Sequence, residues 1–476
     1  MKVNAHPISI IEGISKNFWI LLFPLLRGLI ATQFDLYRWV TGAWLDLIIV
    51  TSVLVYAILR WRGMSFILDD DTILVQRGII FRSKSRIPLG AVTTVIKEQT
   101  IVYSAFGAVK VRIETNAGSK RRADFKITVR KENANTLNFL EKDSSNRTKK
   151  SYAPKWYYLI VFSLISSNSL SGVIFLSAFI SQTGAVIGRE LRGDVITTIT
   201  TLSHRLAIGI PPIAIAISIV ILSGWVMAFI FNVLRHLHFE ITRSNKNLHI
   251  KEGLFTKRQY HINADRIAFL DMRQTLTTKI FSIASLYVYC AGYGKEKNER
   301  AVLVPATSKR EVEGTMKMLV PEIAPVKSTV KPSPRGIVGY VLPPALMLIA
   351  VPVAAKILIG IFASWHQLIS FVAVMSAIPL VWLLVVNLTA YITSGIGENE
   401  NVVTIRYVRR YSFSTITMPK TRIAKMKISQ TPFQRWGRRC NVVIYTNAES
   451  KQKHIVRQLP LRQTRELMLN CNGNPK

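Results

Sequence analysis

Four short basic runs hold the side chains best suited to chemistry in this sequence, and that chemistry is anion binding. Arg82, Lys84 and Arg86 alternate with serines, so on a β-strand all three cations project from one face. Lys120, Arg121 and Arg122 form a continuous run, and the pairs Lys257-Arg258 and Arg409-Arg410 recur further along. Guanidinium and ammonium groups gathered in this way hold phosphate oxygens through charge-assisted hydrogen bonds. These residues are therefore candidate contacts for anionic lipid headgroups. A solvated charged face is the other reading of the same pattern.

Other polar residues invite chemistry less strongly. The eight histidines are scattered, and His236-Leu-His238-Phe-Glu240 is their one close grouping; on a strand all three polar residues would face one way, which is compatible with a metal. Its place beside Arg235, at the end of an apolar stretch, also fits a belt facing headgroups. Cys290, Cys440 and Cys471 are far apart and make no metal-spaced set. No GxSxG, HExxH, P-loop or dinucleotide fingerprint appears, so neither an enzyme nor a cofactor is expected. Arg27, Asp46 and Lys356 lie inside apolar stretches, where an ionisable group is costly and by default functional. Arg27 and Asp46 fall in neighbouring stretches and could pair with each other. Lys356 has no obvious acidic partner and could snorkel. A transporter or lipid-handling protein using these three charges is the alternative reading.

The elements that position these residues follow from hydropathy. Apolar stretches recur in pairs, at 18–34 and 40–59, 159–181 and 206–233, 337–363 and 368–392. A helix of about 20 residues crosses roughly 30 Å of hydrocarbon, so six spans are expected. No small-residue cleavage site follows the first of them, so it is expected to stay as an anchor. The net charge of +35 is unevenly spread. Segments 60–155, 233–336 and 395–476 hold 54 of the 62 Lys and Arg residues, while the connection at 364–367 has none. Basic residues near span ends concentrate on the cytoplasmic side, which places all three segments and both termini there. Nucleic acid is not expected, because no recognition motif accompanies the charge.

A threefold internal repeat organises the chain. Gln99-Thr100, Gln274-Thr275 and Gln430-Thr431 are each preceded at twelve residues by Ile87, Ile262 and Met418. Nine residues before those stand Gly78, Gly253 and Arg409. A side-chain amide both donates and accepts, so three Gln residues could read three copies of a polar ligand. A signature shared by every repeat first reports what the fold needs, and satisfying backbone groups at a strand end is the preferred reading. Gly78 and Gly253 read as turn positions with positive φ. Alternation at 73–75, 109–113 and 442–445 predicts half-buried strands, and helical patterns at 133–141, 308–319 and 462–469 close the units.

Paired apolar spans followed by Gly-x(8)-Ile/Met-Pro-x(10)-Gln-Thr and a downstream Phe106-Gly107 resemble the membrane-flanked bacterial pleckstrin-homology-like domains, in the three-domain arrangement of YdbT-like proteins. The second repeat departs from the pattern at Asn263 and Ser282. The resemblance implies α-helical transmembrane pairs plus three α+β domains, each a bent antiparallel seven-stranded sheet or partly open barrel capped by a C-terminal helix. It also implies a bacterial inner-membrane location. The expected layout is helix pairs at 1–60, 151–234 and 331–394, with pleckstrin-homology-like (PH-like) domains at 61–150, 235–330 and 395–476. The expected role is a membrane scaffold that binds partner proteins or anionic lipid headgroups, in support of envelope integrity or resistance to membrane-active agents. Its expected partners are membrane lipids and another membrane protein with a similar domain.

Overall fold

Alternating apolar residues at matching places give every repeat the same six strands. The computed structural model describes residues 2–16, 37, 44–69, 71–78, 82–115, 125–135, 150–166, 197, 201, 212–254, 256–290, 293, 302–448 and 453–472. A short strand β1 (Lys2–Asn4) precedes the first repeat, which comprises β2 (Ser65–Leu68), β3 (Thr72–Arg77), β4 (Ser83–Pro88), β5 (Val92–Thr100), β6 (Ala108–Thr115) and β7 (Phe125–Arg130). Strand β8 (Lys150–Tyr152) likewise precedes β9 (Glu240–Ser244), β10 (Asn247–Glu252), β11 (Thr256–Asn263), β12 (Ile267–Thr275), β13 (Ile283–Cys290) and β14 (Val302–Ser308). The third repeat holds β15 (Gly395–Glu398), β16 (Val402–Arg409), β17 (Ser412–Pro419), β18 (Ile423–Ser429), β19 (Arg439–Thr446) and β20 (Lys453–Pro460). Here a single bridge from Val330 to Ile396 takes the place of the preceding strand. Each folded domain therefore reaches back past its own apolar segment, which the expected boundaries did not include.

The sheets do not stay within the repeats. Their orders are β1-β2-β3-β4, β7-β6-β5-β11-β10-β9-β8, β14-β13-β12-β17-β16-β15 and β18-β19-β20. A 3-10 turn after the third strand of each repeat, at Leu89–Ala91, Ala264–Arg266 and Lys420–Arg422, breaks the ladder that a single bent sheet would need. That leaves two open strand edges per repeat, and unpaired backbone groups at an edge recruit another strand. β5 pairs antiparallel with β11, with Gln99 opposite Lys257. β12 pairs with β17, with Gln274 opposite Phe413. Lys257 and Phe413 occupy the same place in the repeat, so both junctions have one register. Two compact units result, one of residues 1–151, 241–266 and 290–300, the other of 152–240, 267–289 and 301–476.

The terminal edges differ in chemistry from the paired ones. β4 and β18 are the outermost strands of their sheets. Lys425 and Lys427 of β18 are exposed, whereas their counterparts Thr94, Phe269, Ile96 and Asp271 in the paired strands are buried. Cations on an open edge oppose the indiscriminate addition of further strands.

Within the first unit, Phe66, Ile73, Ile87, Val111, Ile113 and Phe125 form the core of the first domain. Within the second, Ile405, Ile416, Met418, Ile444 and Leu459 do the same for the third, joined by Phe269 of β12. Among the described residues, three helices are long and apolar enough to cross a membrane, at Ile219–His236, Pro334–Ile361 and Val372–Thr393. Trp156–Ile165 is a shorter apolar helix, and Trp44–Arg62 is helical with a basic last turn. The stretch at 18–34 with Arg27 lies outside the described residues, as do Lys120, Arg121 and Arg122 and the side chain of Asp46. Lys356 is exposed on the helix Ile337–Ile361, five positions from its end. At 1.5 Å per residue that is within reach of a snorkelling lysine.

Candidate headgroup-binding site

Where the helix Trp44–Arg62 meets the first domain, a groove of roughly 680 Å³ opens beside β3 and β4. The helix stops at Gly63, whose N–H donates to the Leu59 carbonyl at 3.0 Å. A Cβ at Gly63 would come within 2.5 Å of the Gly78 carbonyl oxygen, so only glycine lets the helix end lie this close to the strand. Gly78 has φ of 117°. The lining includes Arg62, Arg77, Arg82 and Lys84 and no carboxylate. Arg77 is half-buried over the Phe125 ring, at 5.2 Å from its centroid. Burial first, and the Arg60 charge second, lower its pKa. Like charges brought together in this way favour an anion between them.

The other basic candidates separate. Lys84 and Arg86 project from the face of β4 opposite Ile87, which is buried. Lys257 is exposed on β11. Arg258 beside it is half-buried and donates to Glu98 at 3.0 Å, so its charge is already committed across the β5·β11 junction. Arg409 ends β16, and Arg410 takes the left-handed turn position with φ of 58°. These two lie in a hairpin turn rather than at the strand position of Lys257.

The signature residues have structural partners. The side-chain amides of Gln99, Gln274 and Gln430 donate to the carbonyls of Ala108, Ile283 and Arg439 at 3.3, 2.9 and 2.6 Å. Each bond spans the same nine residues and ties the end of the fourth strand of the repeat to the start of the fifth. The following Thr caps a five-residue helix, at Ile101–Ala105, Leu276–Ile280 and Pro432–Trp436. Two residues past each helix stands a left-handed residue, Gly107, Ser282 or Arg438. The carbonyl of that residue accepts from Lys131, Lys309 or Leu461, the first residue of the closing helix. Ile262 and Met418 are buried, and Gly253 has φ of 94°.

His236, His238 and Glu240 are not on one strand. His236 ends a helix and is buried beside the Phe162 ring, His238 has φ of 57°, and Glu240 opens β9. Among the described residues, no three His, Cys, Asp or Glu side chains come together as a metal set. A pair that sequence reasoning missed is His249 and His261, opposite each other on β10 and β11 with ring centroids 4.4 Å apart. Burial above all, then His249, Lys97 and Lys251, lowers the His261 pKa to about 3.

Comparison with known proteins follows the same threefold division. The family model for the Bacterial PH domain matches residues 21–144, 195–319 and 338–472. The transmembrane protein YdbT of Bacillus subtilis (strain 168) is 24% identical over 440 residues, covering 86% of this chain and 84% of that protein. No solved structure matches. Three matches that together span most of the chain, each enclosing one copy of the Gln-Thr signature, place this protein in the Bacterial PH domain family.

Proposed function

We propose that this chain is a six-span membrane scaffold whose three cytoplasmic PH-like domains rest on the bilayer and hold anionic lipid headgroups. It is a membrane protein with bacterial PH domains. The observation that carries the headgroup reading is the groove of Arg62, Arg77, Arg82 and Lys84 at the foot of the Trp44–Arg62 helix. Cations at that level attract anionic lipid by about 1 kcal/mol each. A scaffold of this kind assigns no reaction to the chain and would serve envelope integrity or resistance to membrane-active agents. Exposed Lys356, near a helix end, gives less support to the transport alternative.

The test is native mass spectrometry of the full chain released from membranes of mixed lipid. Wild type is expected to retain phosphatidylglycerol over phosphatidylethanolamine. Each of Arg62→Ala, Arg82→Ala and Lys84→Ala should lower that preference roughly fivefold, the equivalent of about 1 kcal/mol. An unchanged preference in the triple variant would remove the reading.

A protein partner is supported by a separate observation. Both internal junctions use one register, and continuing it would set a similar strand against β4 or β18. Those edges are basic and carry no acid, so the partner they fit is a PH-like domain with an acidic edge strand, joined by strand addition. Glu98, opposite Arg258, shows that chemistry inside the chain. Mild-detergent pull-down should recover such a protein from wild type and lose it when Lys425 and Lys427 become Glu.

A further inference from the structure

The five-residue helices after the Gln-Thr signature end on large apolar side chains that the fold leaves bare. Phe106 and Phe281 are 59% exposed and Trp436 is 92% exposed. Ile101 and Val102, Ile280, and Phe433 extend the same tips. One exposed ring is ordinary on a protein surface. Bare rings six or seven residues after the signature Gln in all three repeats are not explained by packing, because none of them enters the cores.

Each tip lies beside the segment by which its own repeat joins an apolar helix. In the first repeat, the helix Ile8–Lys16 sends Glu12 to Lys110 at 3.1 Å, and the Lys110 ammonium lies over the Tyr103 ring of the tip helix. In the second, Leu276 of the tip packs on Val386 of the apolar helix His366–Thr393, which leads into the third repeat. Ile283, just past that tip, packs on Leu159 and Phe162 of the apolar helix Trp156–Ser166. In the third, Arg439 donates to the Arg335 carbonyl at 2.7 Å, two residues before the helix Ile337–Ile361 begins. Basic residues border every tip, with Lys131 in the first repeat, Lys279 and Lys309 in the second, and Arg435 and Arg438 in the third. An aromatic ring ringed by cations at the end of an apolar helix has the composition of a membrane–water interface.

We propose that Phe106, Phe281 and Trp436 are interfacial anchors, inserted at the boundary of headgroup and acyl chain, that fix each PH-like domain against the bilayer. The Gln and Thr of the signature make the anchor rigid: the amide bond to the fifth strand of the repeat and the threonine cap hold the short helix in place. This gives the signature a purpose beyond the fold, without any ligand at the Gln itself. The anchors act through apolar burial and so go beyond the headgroup reading, which depends on anionic charge.

The experiment uses the full chain in nanodiscs, with both membrane faces open to solvent. Phe106→Cys, Phe281→Cys and Trp436→Cys, each in a chain whose own three cysteines are replaced, carry a nitrobenzoxadiazole label. Glu400→Cys, on an exposed turn, is the aqueous control. The tip labels should emit blue-shifted light and be quenched by lipid bearing a shallow nitroxide, but resist iodide, in zwitterionic and anionic discs alike. Iodide quenching equal to the control in both discs would overturn the proposal. Shielding confined to anionic discs would also overturn it, by making charge rather than the rings the anchor. Hydroxyl-radical footprinting of the unaltered protein keeps the test open if a variant misfolds. Oxidation of the three rings should fall several-fold below that of exposed Leu469, after correction for intrinsic reactivity, and parity with Leu469 would count against the anchors.

Discussion

Lowering the pH from 6.5 to about 5 is expected to cost this protein about 2 kcal/mol of stability through His261, and His261→Phe should remove most of the loss. His261 is 5% exposed, and neither ring nitrogen has a hydrogen-bond partner among the described residues. Burial, reinforced by His249, Lys97 and Lys251, brings its pKa from 6.5 to about 3. The unfolded chain takes up a proton near 6.5 while the folded chain does not. The stabilisation is therefore complete above 6.5 and declines by about 1.4 kcal/mol per pH unit below it, until the folded group titrates. The window above about pH 5 leaves most carboxylates ionised, which isolates the histidine. Urea unfolding of the detergent-solubilised chain at several pH values measures it. Parallel pH dependence in wild type and His261→Phe would show that another group is responsible.

Gly397→Val is expected to open the third domain at its edge. The chain at 326–330 crosses β15 as a strap: Thr329 and Val330 donate to the Ile396 carbonyl at 3.0 and 2.9 Å, and Arg406 donates to Ser328 at 2.6 Å and to the Val326 carbonyl at 3.0 Å. A Cβ on Gly397 would overlap the Lys327 carbonyl, a backbone group that cannot rotate away. Overpacking of this kind costs about 1–3 kcal/mol, and the strap's bonds are lost with it. Limited proteolysis should cut the variant near Lys327 several-fold faster than wild type, with cleavage elsewhere unchanged. Equal rates would mean that the strap is not held as described.

Much of the fold was legible in the sequence because it is a matter of period and spacing. The two fixed intervals around Gln99, Gln274 and Gln430 mark equivalent strands in all three repeats, and the structural reading of those amides matches their bonds to Ala108, Ile283 and Arg439. The exchange of strands between repeats was not legible. Periodicity reports which face of a strand is buried, but not which strand lies beside it, and β5 would alternate in the same way next to β4 as next to β11. The strands that precede the apolar segments were missed because three residues, as in Lys2–Asn4, are too few to show a period.

The site was legible in part. Arg82 and Lys84 stood out by alternation, but Arg62 and Arg77 join them only because Gly63 brings the helix end against Gly78. Arg258 looked like a free cation, although its partner Glu98 is 160 residues away. The aromatic tips carried a signal in Phe106, Phe281 and Trp436 following each Gln-Thr. That signal marks a recurring position and says nothing of exposure, which only the packing reveals.

Hydrogen exchange of the unaltered chain is the most direct test that the basic groove holds anionic headgroups. Exchange is compared between nanodiscs of phosphatidylcholine alone and discs that also contain phosphatidylglycerol. Peptides covering residues 61–65 and 76–86 should exchange more slowly in the anionic discs, while the buried strand β13 stays the same in both. Identical exchange of the groove peptides in the two membranes would contradict the account.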